Sequence, residues 1–136
     1  MRLDEPEARA RFADARVARL ATVTRDGKPH IVPIVFALVD DVIYTAVDAK
    51  PKSTTALRRL DNIAANPSVA VLADHYVDDW TQLWWVRADG TARLADDADA
   101  DRAIQLLTHR YPQYASQPPP GPVIAINVIR WSGWRP

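Results

Sequence analysis

The chain has no cysteine. That removes disulfides, thiolate metal sites, thiol nucleophiles and iron–sulfur ligation. Glycine is scarce, confined to Gly27, Gly90, Gly121 and Gly133. None belongs to a G-x-G-x-x-G or Walker loop, so Rossmann dinucleotide binding and P-loop nucleotide hydrolysis are excluded. No serine sits in a G-x-S-x-G elbow. His30, His75 and His109 lie far apart, without metal-ligand spacing. His75 with Asp78 and Asp79 reads as a solvated loop, and no metal is expected. An excess of charge is missing too: Lys+Arg and Asp+Glu both number 17. A global pull toward nucleic acid or an anionic membrane is therefore not expected, and any anion site must be local. No apolar run approaches the roughly 20 residues needed to span a bilayer. The start, Met1-Arg2-Leu3-Asp4-Glu5-Pro6, turns acidic at once and lacks a signal peptide's apolar stretch. The expected location is cytoplasmic.

What is present suits one globular domain over residues 1–136, with 48% hydrophobic and 25% charged residues. Asp4 and Glu7 have capping-box spacing and Pro6 suits a first turn, which predicts a short peripheral helix striped by Ala8, Phe12 and Ala15. Residues 17–24, 29–38 and 42–47 read as strands, the first two joined at Asp26-Gly27. Pro33 cannot donate to a ladder and belongs at an edge or bulge. A basic segment, Lys50-Pro51-Lys52-Ser53-Thr54-Thr55, leads into a helix with Leu57, Leu60 and Ile63 at helical spacing. Residues 68–74, 83–88, 91–95 and 123–131 read as further strands, with Gly90 at a turn or bulge. The best helix spans residues 96–111, with an acidic start and a stripe of Ala100, Ala103, Ile104, Leu107 and Tyr111. About six strands with hairpin-length connections predict a mainly β, α+β fold: an antiparallel barrel with peripheral helices.

Two local signals carry chemistry. The ammonium groups of Lys50 and Lys52, the hydroxyls after them and the free N–H groups of a helix start together suit a phosphate; a capped surface helix with solvated lysines would look the same. The second signal is tryptophan, five residues against two phenylalanines. Trp84 and Trp85 are adjacent on a strand and must face opposite sides. One can fill the barrel while the other covers an interface or stacks on a flat ligand. Trp131 and Trp134 suggest a tail lying over a partner subunit. Arg87 needs an anion: a carboxylate such as Asp74 or Asp89, or a ligand.

Three features in order carry a resemblance: Leu20-Ala21-Thr22-Val23 with Pro33-Ile34-Val35-Phe36; the helix from Lys52 to Leu57 followed by Asn66-Pro67-Ser68-Val69-Ala70; and Trp84-Trp85-Val86-Arg87-Ala88-Asp89-Gly90-Thr91-Ala92. Over nearly its whole length the chain resembles the pyridoxamine 5′-phosphate oxidase-like split-barrel family, and within it the deazaflavin branch of F-420-dependent oxidoreductases. The resemblance implies a six-stranded FMN-binding-type split β-barrel. It implies a homodimer with a cofactor in each groove between subunits, F-420 or alternatively FMN, acting on a small-molecule substrate. The cofactor phosphate would fall to Lys50, Lys52, Ser53 and Thr54. Backbone groups at Thr22, Val23, Pro33, Ile34 and Val35 would meet the ring, and Trp80, Trp85, Trp131 and Trp134 would close the groove. No side-chain nucleophile is implied, because the cofactor carries the hydride. The same groove could serve a non-catalytic carrier of flavin, haem or tetrapyrrole. The chain lacks the Arg-x-His pair that the true oxidases carry near the C-terminus, so pyridoxine phosphate oxidation is not implied. Replacing the anchoring ammonium, Lys52→Ala, is expected to weaken cofactor binding by about 1–3 kcal/mol, the scale of a lost charge-assisted hydrogen bond. Unchanged affinity in a fluorescence titration would move the phosphate site elsewhere.

Overall fold

The computed structural model describes residues 1–47 and 54–136, excluding the side chains of residues 54–57. Its elements run α1 (Glu5–Asp14), β1 (Ala18–Val23), β2 (Pro29–Ile34), β3 (Ala37–Val39), β4 (Val42–Ala46), α2 (Thr54–Ala65), β5 (Ser68–His75), β6 (Trp84–Leu94), α3 (Asp97–Arg110) and β7 (Val123–Trp134). The strands form one seven-stranded sheet in the order β2-β1-β5-β6-β7-β4-β3, and every neighbouring pair is antiparallel. The two edge strands, β2 and β3, are consecutive in the chain, with only Val35 and Phe36 between them. The sheet therefore curls until its edges meet through the chain itself. This half-barrel with helices is the mainly β class expected.

The expected strand over residues 29–38 breaks at Val35 and Phe36 into β2 and β3. Phe36 is fully buried, and its backbone leaves the ladder for side chains. Its N–H donates to Tyr111 Oη at 3.1 Å. Its carbonyl accepts from Tyr111 Oη at 3.0 Å and from Arg110 Nη1 at 2.7 Å. Arg110 also donates to the carbonyls of Ala13 and Ala15, so the end of α3 pins the α1–β1 and β2–β3 junctions together. Burial pushes the Arg110 pKa down from its ordinary value, but a guanidinium stays charged in proteins.

Elsewhere separate expected strands merge. Residues 83–88 and 91–95 belong to one strand, β6, whose register against β7 shifts between Asp89 and Gly90. A Cβ on Gly90 would lie 2.5 Å from the Asn127 carbonyl oxygen, so only glycine lets β7 pass this close. The expected tail from Trp131 to Trp134 is the end of β7, paired to β6.

Two apolar clusters follow from the curl. Inside the barrel, Leu20, Val32, Val71 and Ala88 line a cross-strand row, joined by Ile43, Ile124 and Ile126 and by Phe12 from α1 and Ile63 from α2. Helix α1 is thus no peripheral element: Phe12 is fully buried, 4.7 Å from the Phe36 ring and 5.3 Å from that of Trp131. Asp4 caps it as expected, accepting from Glu7 N at 2.9 Å. Outside the barrel, Ala103 and Leu107 of α3 and Tyr111 just after it cover Ala37, Tyr44, Val123 and Ala125. Among the described residues no helix is long and apolar enough to cross a membrane.

The Tyr111 hydroxyl is both acceptor and donor at the strand break. Tyr111→Phe leaves the buried Phe36 N–H unpaired and is expected to cost about 1–3 kcal/mol in urea unfolding. A midpoint equal to wild type would remove the hydroxyl from any role in closing the sheet.

Candidate functional site

Helix α3 covers the outside of only the β3-β4-β7 half of the sheet. The outer side of β2, β1, β5, β6 and the C-terminal part of β7 is left uncovered, and strand alternation decides what stands there. One row across it reads Pro33, Arg19, Leu72, Arg87, Ser132, and the next reads Ile31, Ala21, Ala70, Asp89, Arg130. Beyond the first lies a third, Asp74, Trp85, Trp134. Ile31 is 64% exposed, and Ile129, the extra residue of the β7 bulge, 76%. Ala21 and Ala70 face each other on adjacent strands, a low floor between Ile31 on one side and Asp89 with Arg130 on the other. Arg87 Nε lies 3.3 Å from Asp89, the pairing expected for it. The face thus mixes apolar residues with three arginines and two aspartates, with Trp85 and Trp134 side by side.

The residues expected at the site are distributed over both sides of the sheet. Val23 is half-buried, and Pro33 is exposed on the edge strand β2. Thr22 and Ile34 point inward: Thr22 is 1% exposed, and its Oγ1 accepts from Asn62 Nδ2 at 3.0 Å. From those two positions only backbone is available to a ligand. Val35 sits at the strand break, its carbonyl accepting from Thr45 Oγ1 at 2.8 Å. Lys50, Lys52 and Ser53 lie outside the described residues, as does the side chain of Thr54.

The tryptophans separate clearly. Trp84 packs on the barrel core, stacked with His75 at 6.5 Å, while Trp85 takes the outer face. Trp80, on the short helical turn Trp80–Gln82, is 74% exposed. That turn is held by Asp79, which accepts from the Thr81 hydroxyl at 2.7 Å and from Thr81 N at 3.1 Å; both donors lower its pKa. Trp131 is not on the open face. It packs against Phe12, and its Nε1 donates to Asp41 at 3.0 Å, where Arg9 Nε also donates at 2.9 Å. These bonds, the indole first, lower the Asp41 pKa.

A separate polar cleft of about 320 Å³ is lined by Glu7, Arg11, Thr81, Gln82, Leu83, Arg135 and Pro136. Glu7 Oε2 accepts from both Arg11 and Arg135, at 3.1 and 3.2 Å, so its cations already have a counter-ion. Among the described residues no three His, Asp or Glu side chains converge as metal ligands.

Residues 4–135 match the model of the pyridoxamine 5′-phosphate oxidase family. The chain belongs to that family. Its sequence matches no curated protein. Among solved structures, the fold is shared with an FAD-binding protein from Mesorhizobium loti, at 22% identity and TM-score 0.74 over 98% of this chain and 95% of that one. It is shared with an FAD-binding protein from Mycobacterium smegmatis, at 20% identity and TM-score 0.67 over 98% of each chain. A haem-binding protein from Mycobacterium smegmatis matches at 18% identity and TM-score 0.75, over 94% of this chain and 52% of that one.

Arg19, Ala21, Ala70 and Arg130 are not singled out by sequence reasoning. For Arg19, Ala21 and Ala70 the signal is the outward-facing positions of β1 and β5, which point to a site only once the register sets one alanine beside the other; Arg130, on β7, has no such signal. The Asp41–Trp131 bond makes a testable statement about the inner tryptophan. Because the folded pKa is lowered, the bond holds above the ordinary value of 3.8 and is lost only as pH falls below it. The difference in emission between wild type and Trp131→Phe should stay constant from neutral pH down to about 4. A transition centred near pH 6 would contradict the anchor.

Proposed function

We propose that this protein is an oxidoreductase that binds reduced coenzyme F-420 on the open face of its half-barrel, in the seam between two copies of the chain, and reduces a small conjugated acceptor. The observation that carries the reading is the uncovered half of the sheet. It carries an alanine floor, exposed apolar residues and two neighbouring tryptophans. A soluble monomer seldom leaves such a contiguous face bare. The residues fit a planar cofactor: Ala21 and Ala70 let a ring approach the strands, Pro33 and Ile31 bound it, and Trp85 and Trp134 offer aromatic surface.

Reduced F-420 supplies the hydride when bound, so the chain needs no nucleophile of its own. Its residues would hold and orient. Lys50, Lys52, Ser53 and Thr54, ahead of and at the start of α2, would take the phosphate. The strand backbone would set the ring face, and the second copy would shut out water.

The family and the fold are compatible with FMN in the same place, and two structural relatives are FAD-binding proteins. F-420 is preferred on the order of the sequence motifs. Carriage without turnover is the other alternative, supported by the haem-binding relative. Titration of the purified protein with F-420 and with FMN decides the order, following tryptophan quenching, with light scattering to give the mass. Saturable F-420 binding, one per chain in a dimer, is the expected result; binding of FMN alone would reverse the preference. Ala70→Leu raises the floor under the ring and should weaken binding by about tenfold or more, equivalent to about 1.4 kcal/mol, with little change in unfolding midpoint.

A further inference from the structure

We infer that the open face selects a ligand carrying its own negative charge, held by the row in which Arg19 and Arg87 flank Leu72, with Arg130 beside it. The inference rests on the reading of this face as the cofactor and acceptor site and adds the chemical class of what lies there beside the ring.

The register places Arg19 on β1 and Arg87 on β6 directly opposite the same residue of β5, Leu72. Two strand spacings separate their backbones by about 10 Å. Side chains of this length can therefore converge on one carboxylate or phosphate above Leu72, or bridge two. Arg130 stands one row away, opposite Asp89. Only one carboxylate is paired within this group, Asp89 with Arg87. Among the described residues Arg19 and Arg130 form no ion pair, although both are exposed. The row ends at Ser132, whose Oγ is buried beneath the face and has no hydrogen-bond partner among the described residues. Asp74, exposed two residues along β5 from Leu72, is the other carboxylate of the face, so Arg19, Arg87 and Arg130 outnumber Asp74 and Asp89 by one. In a chain of zero net charge that excess, on a face with Trp85 and Trp134, is a local field. It favours a flat molecule bearing an anionic group over its neutral analogue. A guanidinium offers paired N–H donors that match a planar oxyanion.

A matched pair of probes tests this: 1,4-naphthoquinone and 1,4-naphthoquinone-2-sulfonate. Both are flat and quench tryptophan, and the chain has no thiol for them to alkylate. Wild type should bind the sulfonate about tenfold more tightly at low salt, with the preference shrinking at about 0.5 M salt. Arg19→Gln and Arg130→Gln should each cut that preference by about threefold while leaving the affinity for the neutral quinone unchanged. Arg102→Gln, on the exposed side of α3, should leave it intact. Equal affinities of wild type for the two probes would overturn the inference, as would a preference that both face variants leave unmoved. Titration with F-420 and FMN is run alongside. If neither binds while the anion preference persists, the cofactor reading fails and the cation row stands.

Discussion

The structure depends on one constraint: the strands at opposite edges of its sheet are neighbours in the chain. Because only Val35 and Phe36 separate β2 from β3, the sheet must curl, and its two edges are the six-residue β2, which carries Pro33, and the three-residue β3. The break is stabilised from within. A buried phenylalanine, a tyrosine hydroxyl and a guanidinium that donates to backbone carbonyls replace the ladder where it stops. The curl gives the barrel an inside, filled by the aliphatic rows and plugged by Phe12 and Ile63. It also gives two unlike outsides. One is covered by α3, and the other is bare.

That asymmetry connects fold to function. The covered side carries Ala37, Tyr44, Ala46 and Val123, which pack against a helix. The bare side carries small, aromatic and charged residues, which under the proposed function would meet a planar cofactor and a second copy of the chain. Pairs such as Trp84 and Trp85 show how finely the strand period divides these tasks. One indole is spent on the core and its neighbour in sequence is presented outward.

Much of the fold was legible in the sequence. Strand runs, the Asp26-Gly27 hairpin, the cap at Asp4 and the stripe of α3 are local signals, and local signals survive tertiary context. The break at Phe36 was not, because its cause is the distant pair Arg110 and Tyr111. Nor was the burial of α1, whose thin stripe hides a phenylalanine that closes the barrel. For the site, the opposite facing of Trp84 and Trp85 was readable from strand alternation, and Arg87's need for an anion from its charge, but not that Trp85 is the outward one or that Asp89 is the partner. The alanine floor and the arginine row were not, since each is assembled from strands far apart in sequence. Trp131 was misleading for a related reason: near the end of the chain it resembles a loose tail, yet β6 pairs with it and Asp41 fixes its indole.

A crystal structure of the protein soaked with reduced F-420 tests the central claim most directly. The account predicts two copies related by a two-fold axis, with the deazaflavin ring lying over Ala21 and Ala70 in the seam between their open faces. A ring bound elsewhere, or open faces packed against each other with no space for a ring, would contradict it.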